Sequence, residues 1–409
     1  MRTTIRNGTV LDTVEMSYSD ATVVIEHGEI VEVTDAPVAP GDVDVDANGR
    51  YVLPGLIDAH SHFRLATFDF HAMAQWTEVE FGIAMAQLSR AGLERGFTTV
   101  RDLGGDVTGL MRAIRAGRAA GPRIVRAGRM LTQTGGHGDA QGGPREVPEC
   151  GCAMGSDVFS IIADGVDAVR KAARHQLREG SDFLKIHVSG GVASPSDPLD
   201  SLQYTPDEVA AAVTEARHRG TYVAAHAYTP EAIQMAVANG VHTIEHGNLL
   251  DAATAKAIAD AGSVLVPTLV TYRAMHELGE RLGLPPTNLE KNSVVYEAGL
   301  ASVEQAVAAG VTLGLGTDLI GESQPMQNLE LAIRAEVQQA SDVLRSMWVV
   351  NPRLCRLEGR IGVITPGAYG DVVVSNVDPL TDLPAFAEAG AAISHVIQGG
   401  TVVVERSGS

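Results

Sequence analysis

The chain has 409 residues, 45% hydrophobic and 20% charged, enough for one large globular domain and a smaller one. A net charge of −19 and an aromatic content of 4% argue against nucleic acid and anionic membrane as partners, since both need basic surface and the first needs stacking rings. Three cysteines (Cys150, Cys152, Cys355) make no disulfide framework, no apolar run could span a bilayer, and Met1-Arg2-Thr3-Thr4-Ile5-Arg6-Asn7-Gly8 lacks the apolar core of a secretory signal, so a reducing, cytoplasmic location is expected.

Residues 1–53 are predicted to form short strands joined by tight turns. Apolar alternation runs through 21–33 around His27-Gly28 and through 43–53 around Asn48-Gly49, a hairpin signal. Next comes Val52-Leu53-Pro54-Gly55-Leu56-Ile57-Asp58-Ala59-His60-Ser61-His62, an apolar run ending in two histidines at i and i+2. As a strand it places Asp58, His60 and His62 on one face. Two neutral imidazoles at one strand end can grip a metal ion from the same side. Two hydrogen-bonded core histidines are the plainer reading, and it suits a lone histidine better than this pair.

From residue 54 apolar strands alternate with amphipathic helices, the signature of parallel βα units. The predicted strands are 56–62, 97–103, 123–128, 182–189, 221–226, 241–246, 263–269 and 311–318. The predicted helices are 78–95, 107–116, 166–179, 206–219, 230–239, 252–261 and 289–309, with Thr205-Pro206 and Thr229-Pro230 as capped starts. Eight such units make an α/β fold, a (β/α)8 TIM barrel over 54–358. A doubly wound sheet would need a Gly-rich phosphate turn after an early strand, and none is present. After a helical region at 327–348, β-rich segments return at 371–376 and 393–405. The two ends, 1–53 and 359–409, are therefore expected to build one small composite β-sandwich, each half covering the other's apolar face.

Barrel enzymes carry their chemistry at the C-terminal strand ends. Strand one would present His60 and His62, strand five His226, strand six His246 and strand eight Asp318; strand four carries Lys185 inside an apolar run. A barrel-facing lysine is expensive to bury as a free ammonium. It is either paired to a buried carboxylate such as Asp58 or Asp318, or converted by carbon dioxide to a carbamate, an anionic ligand able to bridge two metals.

These motifs together resemble the amidohydrolase superfamily of metal-dependent hydrolases, over essentially the whole chain. The likeness runs from Pro54 to His62, through Lys185 and His226, to Thr243-Ile244-Glu245-His246-Gly247 and Gly316-Thr317-Asp318, and on to Gly362-Val363-Ile364-Thr365-Pro366-Gly367. The resemblance implies a binuclear centre. His60 and His62 would bind a first divalent metal with Asp318, His226 and His246 a second, and carbamylated Lys185 would bridge the two. Zinc is the usual metal in this branch, although histidine and carboxylate ligands also accept manganese, cobalt or iron. Asp318 would serve as general base and then general acid for amide hydrolysis; otherwise it is a turn residue at a strand end.

The stretches 185–200, 226–233 and 267–272, with Thr134-Gly135-Gly136-His137-Gly138, look like the Xaa-Pro dipeptidase (prolidase)-related, imidazolonepropionase-like branch. That likeness implies hydrolysis of L-Xaa-L-Pro or L-Xaa-hydrophobic dipeptides. The alternatives are a xenobiotic or N-acyl amide, a carbamate or a phenylurea, as in ochratoxin amidases and phenylurea hydrolases, and an inactive scaffold barrel, which would have lost metal ligands. His137 and Tyr228 are the substrate-side candidates, against a loop histidine and a rim-packing tyrosine. His187 shares a strand face with Lys185, and Cys150-x-Cys152 would need further ligands to hold a metal. By the same resemblance a homo-oligomer, such as an octameric ring, is expected.

Overall fold

The computed structural model describes residues 1–73, 75–139, 159–194, 197–388 and 391–406; Cys150 and Cys152 lie outside them. The N-terminal strands are β1 (Arg2–Asp12), β2 (Ser17–Glu26), β3 (Glu29–Thr34), β4 (Val43–Asp46) and β5 (Tyr51–Pro54). His27 and Gly28, both at positive φ, close the β2–β3 hairpin as its two-residue turn requires. The Asn48-Gly49 signal resolves differently. β4 and β5 do not pair with each other; both run parallel to β1, one after the other. Asn7 on β1 is also left-handed, and Gly49 donates its N–H to the Asn7 carbonyl at 2.7 Å. The turn residues therefore make a jog opposite a bulge in β1 rather than a reversal.

The central region holds β6 (Leu56–Ser61), β7 (Phe97–Asp102), β8 (Arg123–Arg126), β9 (Met130–Thr132), β10 (Ser160–Ile162), β11 (Leu184–His187), β12 (Val223–Ala227), β13 (Thr243–His246), β14 (Val264–Val266) and β15 (Thr312–Leu313). They form two parallel sheets. One has three strands, β6-β7-β8, and the other seven, β10-β9-β11-β12-β13-β14-β15. The expected third strand, 123–128, is observed as β8 alone; beyond Gly128, at positive φ, an unpredicted strand β9 follows and joins the other sheet. Backbone bonds bridge the sheets on either side, from Asp182 N to Arg126 O at 2.8 Å, and from Ala59 N to Leu315 O at 2.8 Å with Asp318 N to His60 O at 2.7 Å. The strands β6, β7 and β11 to β14 are buried at every residue, as expected of parallel strands covered on both faces.

Several helices between strands start at side-chain caps. Thr77 with Glu80 and Thr205 with Glu208 form capping boxes, and Thr229 caps the helix that opens with Pro230. A helix over Leu269–Leu278 occupies ground where only the end of a strand was expected. Among the described residues no helix is long and apolar enough to cross a membrane.

The last strands are β16 (Val372–Ser375), β17 (Ile393–Gln398) and β18 (Thr401–Glu405). β16 pairs antiparallel with β5, so strands from both chain ends share one eight-stranded sheet. Its buried residues from the two ends, including Ile5, Val23, Ile25, Val52, Val372 and Ile397, pack as one cluster. Each such aliphatic side chain contributes about 2 kcal/mol of burial, which neither end could realise alone.

Candidate metal centre

β6 begins deep in the core, and its alternation sets Asp58, His60 and His62 in one row. Asp58 anchors the row. Its carboxylate accepts from the His60 N–H (2.9 Å), the Thr317 N–H (3.1 Å), the Thr317 hydroxyl (2.6 Å) and the Gln327 amide (2.8 Å). Burial raises its pKa, and the Thr317 hydroxyl, the His60 N–H and the Gln327 amide oppose that rise. Asp58 is thus committed to the chain after β15 and is not spent on Lys185.

That chain carries Asp318. Its N–H donates to the His60 carbonyl at 2.7 Å, and its backbone is left-handed, φ +52, a conformation that costs a non-glycine residue about 1–3 kcal/mol. The cost is met by the anchoring bonds of Asp58. The result is that Asp318 Oδ1 stands 3.3 Å from His60 Nε2 and 3.2 Å from His62 Nε2. Burial alone would raise the Asp318 pKa, but the imidazoles of His60 and His62 beside it hold the carboxyl well below its usual range.

The remaining predicted residues line up along the neighbouring strands. His246, at the end of β13, has ring contacts to His60 (5.0 Å) and His226 (4.7 Å), and its Nδ1 bonds Thr268 Oγ1 at 2.8 Å. His226, on β12, gives its Nε2 proton to the Gly190 carbonyl at 3.0 Å. His187 sits across the ladder from His226, its Nδ1 buried with no hydrogen-bond partner among the described residues. Lys185 is buried two residues before it, its pKa pulled down to about 8 by burial against the pull of Glu245 and Asp318. His137 stacks on His226 with ring centres 4.4 Å apart. Tyr228 stacks on His246 at 5.3 Å and shares a 2.8 Å hydrogen bond with the Tyr272 hydroxyl. All eight predicted site residues therefore come together at one end of the parallel strands.

Four side chains at the site were given no role by the sequence. Arg101 and Glu245 form a buried ion pair at 2.7 Å beside His60. Tyr272, on the unexpected helix, closes over Tyr228. Asp197 holds the loop beside His137, accepting from the Gly191 N–H at 3.0 Å and the Gln203 amide at 3.1 Å, while Ser194 bonds both Asp197 and His137 Nδ1. The only signal for the first pair was a charged residue inside each of two apolar strands.

The amidohydrolase family model matches residues 51–403, most of the chain and all of this site. The chain belongs to the amidohydrolase family. Among solved structures this amidohydrolase is similar to a prolidase complexed with N-methylphosphonate-L-proline, at 41% identity and a TM-score of 0.95 over 99% of this chain and 100% of that one. It is also similar to a Xaa-Pro dipeptidase with methionine bound in its active site, at 26% identity and a TM-score of 0.88, covering 99% of this chain and 100% of that one. The ochratoxinase of Aspergillus niger is 29% identical over 370 residues, 85% of this chain and 75% of that protein.

Amidohydrolases generally bind divalent metals, and the donor set here fits one. Among the described residues, His60, His62 and Asp318 are the one group of three or more histidine, cysteine or carboxylate side chains whose ligand atoms all lie within 4.8 Å of one another. Two imidazole nitrogens and a carboxylate oxygen converging in a buried site are borderline-hard donors that suit zinc and its neighbours.

Proposed function

We propose that this amidohydrolase hydrolyses the amide bond of L-Xaa-L-Pro or L-Xaa-hydrophobic dipeptides at a centre of two divalent metal ions, with zinc the first choice. His60, His62 and Asp318 would hold one ion and His226 and His246 the other, with Lys185 as its carbamate between them. Bound there, the ions supply Lewis acidity to the scissile carbonyl and lower the pKa of water. Asp318 accepts the proton of the attacking water at a carboxylate oxygen and passes it to the leaving nitrogen. His137 and Tyr228 orient the substrate by hydrogen bonds to its carbonyl and carboxylate oxygens. The two parallel sheets would close as a (β/α)8 barrel over 54–358, beside a composite β domain built from 1–53 and 359–409; the bonds from Asp182 to Arg126 and from Ala59 to Leu315 support that closure.

What supports the substrate most is the similarity to the prolidase complexed with a proline phosphonate, over nearly the whole of both chains. The test is a panel of L-Xaa-L-Pro and L-Xaa-hydrophobic dipeptides against N-acyl amino acids, carbamates and phenylureas, with elemental analysis alongside. Turnover of the dipeptides with two ions per chain is expected. At most one ion at saturating metal removes the binuclear centre. The similarity to ochratoxinase favours a second reading, a bulky N-acyl amide substrate; hydrolysis of such amides with no dipeptide turnover selects it. A homo-oligomer, octameric by the same likeness, belongs to the proposal, and a monomeric mass in light scattering would count against it.

A further inference from the structure

The buried pair of Arg101 and Glu245 is an expensive feature that the proposed chemistry leaves unused. Both side chains are fully buried. A buried ion pair adds little stability on balance, because desolvation cancels most of its attraction, so its presence calls for another role. The bonds around it point to one. Glu245 Oε1 accepts from Arg101 Nη2 at 2.7 Å and from the Thr243 hydroxyl at 2.6 Å. Its other oxygen, Oε2, lies 2.9 Å from His60 Nδ1. Arg101 is fixed in turn: its Nε donates to the Ala59 carbonyl at 2.6 Å and its Nη1 to the Tyr222 hydroxyl at 3.2 Å. Tyr222 donates to the Leu354 carbonyl at 2.6 Å.

Arg101 and the Thr243 hydroxyl both donate to Oε1, so the Glu245 carboxylate is the acceptor of this cluster and Oε2 takes its donor from the His60 side. The atom that bridges it to His60 must be a proton on Nδ1. A neutral imidazole carries one N–H, so Nε2 is then the lone-pair nitrogen. Nε2 is the atom facing Asp318 Oδ1 at 3.3 Å. We propose that Glu245, clamped by Arg101, is a positioning residue that holds the proton of His60 on Nδ1 and so presents Nε2 unprotonated toward Asp318 and a metal ion. The role rests on the metal-centre reading above for its purpose, but the tautomer does not depend on that reading.

Glu245→Gln tests it with little change in shape. Arg101 offers only donors and takes the amide oxygen, which turns the NH2 group toward His60 Nδ1. That ring nitrogen must now accept, and the proton moves to Nε2. Zinc affinity, measured by chelator competition, should fall between about tenfold and a hundredfold, the usual effect of losing such a partner. Unchanged affinity in a folded variant overturns the proposal. If the variant does not fold, nitrogen NMR of histidine-labelled, metal-free wild-type protein decides, recorded above the histidine titration range with His60→Gln as the assignment control. A proton on Nδ1 of His60 is the expected result, and a proton on Nε2 overturns the proposal. Wild-type protein that binds no zinc would sink the metal centre, while the same spectra still decide the tautomer.

Discussion

The two halves of the site are built differently. On one side, His60, His62 and Asp318 bring three ligand atoms together, held by the Asp58 bonds and by a backbone bond from Asp318 to His60. On the other side, His226 and His246 each have a ring nitrogen engaged, with the Gly190 carbonyl and the Thr268 hydroxyl, and they are roofed by His137 and Tyr228. The first half is set by strand alternation and resists change. The second depends on the loops after β11 and β14, so the two should respond differently to substitution. Lys185 is the proposed bridge between them, which makes it the place to break both at once.

Lys185→Ala should have the largest effect, abolishing turnover together with the bound metal, with partial recovery on adding a short carboxylic acid. Loss of activity with full metal content would remove its bridging role. The same residue gives a pH prediction. Carbamate forms from the neutral amine, and burial places the Lys185 pKa at about 8. Deprotonation increases as pH rises through that value, so at fixed dissolved carbon dioxide, reconstitution of metal-free protein should speed up from pH 7 to pH 9. A rate that falls over that range contradicts it.

Asp318→Asn comes next and separates metal binding from proton transfer within the first half. It should retain much of the metal but lose about a thousandfold in kcat, because an amide cannot take the proton. Near-normal kcat would assign the proton transfer elsewhere.

Gly191→Ala probes the second half without touching a proposed ligand. A Cβ there would lie 2.0 Å from the His137 ring, which must move off its stack on His226. Overpacking of this kind costs about 1–3 kcal/mol, so kcat/KM should fall about tenfold or more with metal content unchanged. Equal kcat/KM would show that His137 need not be held in place.

The same contrast explains what the sequence could show. His60 and His62 were legible because their spacing of two carries its own geometry on a strand. The helix Ala252–Ala261 matches the predicted 252–261, its Asp251 cap and Gly262 end marking both limits. Arg101 and Glu245 were not legible as a pair, since they meet 144 residues apart and one sequence does not reveal a long-range contact. Asn48-Gly49 was legible as a turn but not as a jog, because the deciding partner, the left-handed Asn7, lies on another strand. The helix Leu269–Leu278 was missed because its first four residues, Leu269, Val270, Thr271 and Tyr272, are all buried and prolong the apolar run of β14, while its polar face, Arg273, His276 and Glu277, begins only after them. With it went Tyr272.

Tyr272 sharpens the last and smallest prediction, for Tyr228→Phe. The Tyr228 hydroxyl bonds the Tyr272 hydroxyl at 2.8 Å and also meets the Val192 backbone, and Tyr228 itself is buried against His246. If that hydroxyl also reaches the substrate, its loss should raise KM for a dipeptide by about fivefold, the equivalent of one ordinary hydrogen bond of about 1 kcal/mol. A neutral amide of similar size lacks the C-terminal carboxylate and should show a smaller change. Tyr272→Phe is the control: it breaks the same tyrosine pair and should cost similar stability in a thermal melt, yet it leaves the Tyr228 hydroxyl free to bind. If both variants raise KM equally for both substrates, the tyrosines only shape the rim, and recognition of the carboxylate must come from the loop beside His137.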